Sequence, residues 1–174
     1  MDWHLRIFEV IDMRSFSNLW YWIMLAVVWS STSHWVLGVP HDMYLRARRH
    51  GGQAGADYET MLHINIRRLL YIARTSGMWA VMFVSFSLAV LGMLGFYYGI
   101  EIAQALFCFA APMTIVGATS LRTAARIETS GATGATLYKI IWRHRFTTQG
   151  IGVVAIFVTG MYGMWQNLSV GVLH

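Results

Sequence analysis

His34 is the residue whose type and position most directly suggest chemistry, since it lies in a stretch, residues 17–39, without Asp, Glu, Lys or Arg. Ionisable residues inside a membrane span are rare and often functional. Ser30 precedes His34 by one helical turn, and Trp35 follows it. A small residue one turn before a histidine leaves room for a flat macrocycle over the ring. Ser30, His34 and Trp35 are therefore a candidate site for haem or bacteriochlorophyll.

Three interpretations of His34 remain open. The side chain can hydrogen-bond to a neighbouring helix or extend to the inner interface, which is the favoured interpretation. It can instead ligate a cofactor, or carry a proton or an ion. A bis-histidine haem needs a second histidine within the membrane, and one chain offers none in its apolar stretches. We therefore predict no cofactor and keep the pigment or haem site as an alternative.

The remaining chemistry-bearing residues do not form a recognisable catalytic or metal-binding pattern. Four histidines and two carboxylates outside the apolar stretches lack the compact spacing of a zinc motif, and these are His41, His50, His63, His144, Asp57 and Glu59. The single cysteine, Cys108, cannot form a disulfide framework or a paired thiolate site. No nucleophile, base and orienting group can be assigned. We predict that the protein is not an enzyme and has no metal site.

The elements that carry these residues are predicted to be membrane helices. The chain has 174 residues, of which 56% are hydrophobic and 12% charged, whereas soluble domains average about 25% charged. A membrane span needs about 20 apolar residues, and four windows without Asp, Glu, Lys or Arg qualify, at about 17–39, 77–99, 102–121 and 150–173. We therefore predict an all-α polytopic membrane protein with four transmembrane helices in one domain, residues 1–174.

The basic residues are distributed very unevenly between the segments that join these windows. Of 13 Lys and Arg, 11 lie between windows one and two or between windows three and four. Because cytoplasmic loops hold the basic excess, both loops are predicted to be cytoplasmic and both termini periplasmic, in a bacterial inner membrane. The resulting basic face suits anionic lipids or a docked cytoplasmic protein, and no nucleic-acid partner is predicted. The face comprises Arg46, Arg48, Arg49, Arg67, Arg68, Arg74, Arg122, Arg126, Lys139, Arg143 and Arg145.

Two further helical features accompany the spans. Residues 2–14 have an apolar and a charged side, which predicts a short amphipathic helix in the membrane interface. The glycine-rich residues 51–56 are expected to be a flexible linker. Helical periodicity then continues from Asp57 to Gly99, which predicts that the second helix extends well into the cytoplasm.

Two runs of sequence, FEVIDMRSFSNLW at residues 8–20 and SHWVLGVP at residues 33–40, resemble a small alphaproteobacterial inner-membrane family labelled "component of SufBCD complex". The resemblance covers mainly residues 8–50. It implies contact with an iron–sulfur assembly scaffold in the cytoplasm, a role that the basic loops permit. The resemblance supplies no catalytic motif, and a lone Cys108 does not allow this chain to hold a cluster itself.

Small residues along the spans suggest association with other helices. In lipid, close backbone approach at glycine drives helix packing, because hydrophobicity alone does not. Gly95 with Gly99, and Gly160 with Gly163, are the predicted interface pairs, with Gly95–Gly99 favoured at a subunit boundary. The predicted function is a non-enzymatic scaffold or accessory subunit of a membrane complex, either a homo-oligomer or bound to another membrane subunit. A pigment- or haem-binding protein and a small channel are the alternatives.

Overall fold

The computed structural model describes residues 19–171 and is almost entirely helical within that range. The all-α class is therefore confirmed. The predicted amphipathic helix at residues 2–14 lies outside the described residues. The elements in chain order are α1 (Leu19–His34), β1 (Trp35–Val36), β2 (Val39–Pro40), α2 (His41–His50), α3 (Gly52–Gly92), a π-helical turn (Met93–Tyr97), α4 (Glu101–Ser130) and α5 (Gly134–Gly171).

Three helical segments are long and apolar enough to cross a membrane, namely Gly52–Tyr97, Glu101–Ser130 and Gly134–Gln166. They contain most of the windows predicted at 77–99, 102–121 and 150–173. The 41 residues of α3 extend about 60 Å at 1.5 Å per residue, twice the thickness of a hydrocarbon core. The predicted helical extension of this element is therefore confirmed, and half of α3 extends beyond its apolar segment.

The window at 17–39 does not form one helix, which corrects its predicted inner boundary. The described helix α1 ends at His34, and its 16 residues extend about 24 Å. Residues 35–40 instead form a two-stranded hairpin in which Val36 pairs with Val39. Leu37 and Gly38 at its tip both have positive φ, as a two-residue hairpin turn requires. The amide of Asn65 on α3 donates to the Gly38 carbonyl at 3.0 Å and holds the turn in place.

The expected flexible linker at residues 51–56 is also corrected, because α3 begins at Gly52. The break between α2 and α3 is confined to Gly51 and Gly52, which have φ values of 58° and 51°. Gln53 donates to Asp57 at 2.8 Å along the first turns of α3. Gly55 packs near Tyr138 on α5, since a Cβ there would lie 3.7 Å from the phenol oxygen. Packing against α5 therefore extends the helix through residues whose composition favours a loop.

The largest buried cluster lies at the end of the molecule formed by the hairpin, α2, the first half of α3, the last turns of α4 and the first turns of α5. We call this the basic end, because the 11 basic residues named above belong to these segments. Four residues of α3 at four-residue spacing supply one face of this core. The cluster comprises Val36, Val39, Tyr44, Ala47, Tyr58, Leu62, Ile66, Leu70, Ala124, Ile127, Ala132, Leu137 and Ile141.

The apolar half has a much smaller described core, formed where α1 crosses α5. Leu25 and Trp29 of α1 are buried with Val116 of α4 and Ala155 of α5. Gly152 allows this crossing, since a Cβ on it would lie 2.8 Å from Cε3 of Trp29. By contrast, only 6% of the most apolar window of the α3 segment is buried. The apolar part of α3 is thus almost uncovered by the rest of the described chain.

The glycines predicted as subunit interfaces have different surroundings. Gly95 is buried inside the π-helical turn, where a Cβ would lie 2.9 Å from the backbone nitrogen of Gln104 on α4. Gly99 lies in the turn to α4 with a φ of 71°. Within the described chain, α4 therefore occupies the close approach that Gly95 permits. A Cβ on Gly160 would meet nothing within 4 Å, and Gly163 is buried.

Candidate functional site

His34 ends α1, and its side chain is 53% exposed. Its Nε2 lies 3.9 Å from a carboxylate oxygen of Asp42, and its ring meets Trp35 edge-on at 6.1 Å. Ser30 and Trp35 are exposed as well. The structure therefore places the three predicted cofactor residues on one open surface near the hairpin.

Arg145 on α5 joins this region to the rest of the basic end. Its Nε donates to the carbonyl of Ser33 at 3.3 Å, and its guanidinium also contacts Nε2 of His41. The ring of His41 stacks on Tyr44 at 5.3 Å. Partial burial, and then the positive charge of Arg145, lower the pKa of His41 below 6.5. A neutral His41 accepts a hydrogen bond from Arg145, so this arginine fastens the junction of α1 and α2 to α5.

Three tyrosines form an aromatic cluster at the centre of the basic end. Tyr58 and Tyr138 stack at 5.6 Å, and both meet Tyr44 edge-on at 5.9 and 5.6 Å. Burial raises the pKa of both Tyr58 and Tyr138, so these phenols stay neutral. Beside them opens a cleft of about 950 Å³, whose wall also includes Arg48, Lys139, Glu59 and Trp142. Glu59 already accepts a hydrogen bond from the Gly134 amide at 3.0 Å and so caps α5.

A second cavity, of about 400 Å³, lies between α4 and α5. We call it the basic groove. Each helix contributes one stripe of polar residues at spacings of three, four and seven, which share a helix face. On α4 the stripe is Thr119, Arg122, Thr123 and Arg126, and on α5 it is Thr136, Lys139, Arg143, His144 and Thr147, with Ile140 between them.

His144 forms a buried part of the groove wall and is only 6% exposed. Its Nδ1 lies 3.3 Å from the hydroxyl of Thr123, and its Nε2 lies 3.2 Å from that of Ser120. The Thr123 hydroxyl donates to the Thr119 carbonyl at 2.8 Å. The Nδ1–H of His144 therefore donates to Thr123, and Nε2 accepts from Ser120. Burial lowers the pKa of His144, in agreement with a neutral ring at pH 7.

The structure brings together only part of the predicted basic face. Arg122, Arg126, Lys139 and Arg143 converge on the basic groove. Two others bind groups of the same chain. Arg145 donates to the carbonyl of Ser33, and Arg74 forms an ion pair with Glu128. The others are exposed on α2 and α3 and do not share the groove, and these are Arg46, Arg48, Arg49, Arg67 and Arg68.

Sequence reasoning missed the buried role of His144 and the tyrosine cluster. The signal for the groove was present in the spacing, because Arg122 with Arg126 and Lys139 with Arg143 are each four residues apart. That spacing places each pair on one side of its helix. It does not indicate that the two sides face each other. The three tyrosines, each on a different helix, are brought together only by the packing of α2, α3 and α5.

Fold and site together define an all-α protein with three helices able to cross a membrane and a packed, basic end outside their apolar segments. The described residues contain no group of three or more His, Cys, Asp or Glu side chains that could hold a metal ion. Comparison of the chain with protein-family models, curated proteins and solved structures gave no match.

Proposed function

We propose that the protein is a non-enzymatic integral membrane protein of a bacterial inner membrane that acts as a scaffold or accessory subunit of a membrane complex. In this proposal α1 is a fourth span, both termini are periplasmic and the basic end lies in the cytoplasm. The distribution of the 11 basic residues supports the orientation.

The observation that carries the proposal is the uncovered apolar surface of α3. Its large side chains Met78, Trp79, Phe83 and Phe86 are each 69–75% exposed. In this proposal each contacts lipid or another subunit, because the described part of the chain leaves them uncovered. Gly160 on α5 also has open space beside it, because an added Cβ there would meet nothing within 4 Å. Small positions of this kind permit close approach of another helix.

The proposal assigns the subunit boundary to the α5 face around Gly160, in place of Gly95. A homo-oligomer with closed symmetry is the default form of such an assembly, and a different membrane subunit is the other form. The basic end would remain free to dock a cytoplasmic protein. An iron–sulfur assembly scaffold is the partner that the sequence resemblance implies for this surface.

The experiment is to extract the protein with a disc of native membrane and measure particle mass and composition. We expect a stoichiometric assembly, either of several copies or with a second membrane subunit. Gly160→Leu should shift it toward the single chain by blocking backbone approach. The matched control is Val158→Leu, because Val158 is 53% exposed on the opposite side of the same helix. A single chain without a stoichiometric partner, or equal effects of both variants, would contradict the proposal.

Two alternatives have direct tests. Exposed Ser30 and His34 leave one side of the imidazole open, so a pigment or haem carrier remains the alternative function, and an absorption band that His34→Ala removes would support it. A small channel would require a pore between copies, and liposome flux above that of protein-free vesicles would support it.

A further inference from the structure

The basic groove collects positive charge for which the described chain supplies no counter-ion. Its wall contains three arginines and one lysine, and no Asp or Glu. Each described carboxylate of the basic end has a partner elsewhere: Asp42 lies by His34, Asp57 by Gln53, Glu59 by Gly134 and Glu128 by Arg74. The four positive side chains thus line one cavity, and no carboxylate in its wall balances their charge.

Four of the neutral polar side chains that line the groove already have hydrogen-bond partners within the protein. The hydroxyls of Thr119, Thr123 and Thr147 donate to main-chain carbonyls of their own helices, at 2.9, 2.8 and 3.0 Å. His144 is held between Ser120 and Thr123. The donors left for a ligand are the guanidiniums, the ammonium and the hydroxyl of Thr136. Guanidiniums match phosphate geometry with paired hydrogen bonds, so the chemistry of the site is that of a phosphate receptor.

The position of the groove along the helices indicates which phosphate reaches it. Arg122 directly follows the apolar window at 102–121, and Arg143 lies two turns before the window at 150–173. Trp142 and Phe146, adjacent to Arg143 in sequence or one turn away, stack at 5.8 Å and are 53% and 67% exposed. Exposed aromatic residues at this level are typical of a membrane–water interface. The groove therefore begins at the level of lipid headgroups.

We propose that the basic groove is a specific binding site for the headgroup phosphate of one anionic phospholipid. The lipid enters sideways from the leaflet at the basic end. Arg122 and Arg143, nearest the apolar windows, bind its phosphate, while Arg126 and Lys139 attract the rest of the headgroup. The inference rests on the membrane insertion that the proposed function includes, but it does not depend on assembly or on a protein partner.

The test uses the full chain in detergent micelles and native mass spectrometry, with phosphatidylglycerol and phosphatidylcholine of identical acyl chains as probes. We expect one phosphatidylglycerol per chain to be retained at detergent concentrations that remove phosphatidylcholine. The double variant Arg122→Gln, Arg143→Gln should bind phosphatidylglycerol about 30-fold more weakly, because each basic residue near an anionic surface contributes a factor of about 5.

A matched control removes the same charge outside the groove. Arg46→Gln with Arg49→Gln changes two exposed arginines of α2 and should leave retention within about threefold, since neither residue lines the groove. The charge-preserving variant Arg122→Lys, Arg143→Lys should recover only part of the binding, because an ammonium keeps the charge but not the paired hydrogen bonds of a guanidinium. Circular dichroism and the unfolding temperature establish that each variant is folded. If the control pair weakens retention as much as the groove pair, or if the groove pair retains the lipid, the proposal is overturned.

A competition arm separates a lipid from a free anion. Inorganic phosphate and glycerol phosphate share the phosphate but lack acyl chains, so neither should displace bound phosphatidylglycerol when equimolar with the lipid. Displacement by either anion under this condition would overturn the assignment to a lipid. It would leave the proposed scaffold function unaffected, because particle mass in native membrane discs tests that function independently.

Discussion

Gly152 and Trp29 make the closest approach between α1 and α5, and this contact leads to a prediction at the scale of single residues. Gly152→Ala places a Cβ about 2.8 Å from the indole, closer than van der Waals contact allows. We expect it to destabilise the protein by about 1–3 kcal/mol, the usual cost of overpacking. Thermal unfolding in detergent measures the change.

The control for this variant is on the same helix. Gly150→Ala adds a Cβ that meets nothing within 4 Å, and alanine favours the helix, so it should leave stability equal or slightly increased. If both variants lower the unfolding temperature equally, the destabilisation does not come from the contact between residue 152 and Trp29.

Arg145→Met removes both the hydrogen bond to Ser33 and the positive charge beside His41. The pKa of His41 should then rise toward 6.5 without reaching it, because burial is the larger cause of its lowering. While the pKa is lowered, the unfolded chain binds more protons, so stability is present above about pH 6.5 and falls as the pH drops toward the folded value. The variant should therefore lose part of this pH dependence.

Histidine NMR titration measures that pKa, and thermal unfolding between about pH 5 and 8 measures the stability. Three other groups surround the ring or act on it: His34, Asp42 and Tyr44. They are unchanged in the variant. Arg143→Met, which removes an exposed charge two residues away, should leave the pKa of His41 nearly unchanged. A constant pKa in Arg145→Met would show that the arginine does not act on His41.

Some residue roles could be read from the sequence and others could not. Gly95 was predicted as a position of close packing, and an added Cβ there would lie within 3 Å of α4, whereas one on Gly160 would meet nothing within 4 Å. The partner of Gly95 was not predictable, because a glycine permits a close approach without specifying which segment approaches. The same limit applies to Arg145, which the charge pattern assigns to the basic face and which the structure places, partly buried, against Ser33 and His41.

The packing of α4 against the π-helical turn at the end of α3 gives a prediction at the scale of elements. Gly95→Leu should destabilise the single chain, because its side chain would push against the backbone of α4 at Gln104. It should also break the hydrogen bond of 2.8 Å that the Gln104 amide donates to the Gly95 carbonyl. A lower unfolding temperature at every protein concentration is the expected result. If the loss instead diminishes as concentration rises, Gly95 acts between subunits.

Gly117→Leu is the matched control for Gly95→Leu. Gly117 lies on α4, is exposed and has no atom within 4 Å of an added Cβ. Leucine there should leave the unfolding temperature of the single chain nearly unchanged. The comparison separates packing inside the chain from a general effect of leucine in an apolar helix.

At the element scale, periodicity and composition predicted the long helices well and their ends poorly. The apolar segments of α3, α4 and α5 were located because each satisfies the length and hydropathy of a span independently of its neighbours. The start of α3 was predicted at Asp57 because glycine-rich residues disfavour helix in isolation. The packing of Gly55 near Tyr138 and the burial of Tyr58 in the core outweigh that preference. The hairpin at residues 35–40 depends likewise on the Asn65 contact from α3.

The whole molecule gives a prediction of orientation. In a Cys108→Ser background, His50→Cys at the basic end and Tyr98→Cys at the opposite end introduce exposed thiols. We expect a membrane-impermeant thiol reagent applied to the periplasmic side to label the residue 98 cysteine in sealed cells. It should label the residue 50 cysteine only after the inner membrane is opened. The reverse pattern would invert the proposed topology.

The sequence by itself determined the all-α class, the three long apolar helices, the extension of α3 and the segregation of charge, because these depend on residues close together in the chain. Tertiary structure decided which faces meet. Each residue turns a helix by 100°, and no local pattern specifies how two helices are rotated against each other. That rotation buries Gly95 against α4, brings Arg145 within hydrogen-bond distance of Ser33 and aligns the stripe of Arg122 and Arg126 with that of Lys139 and Arg143.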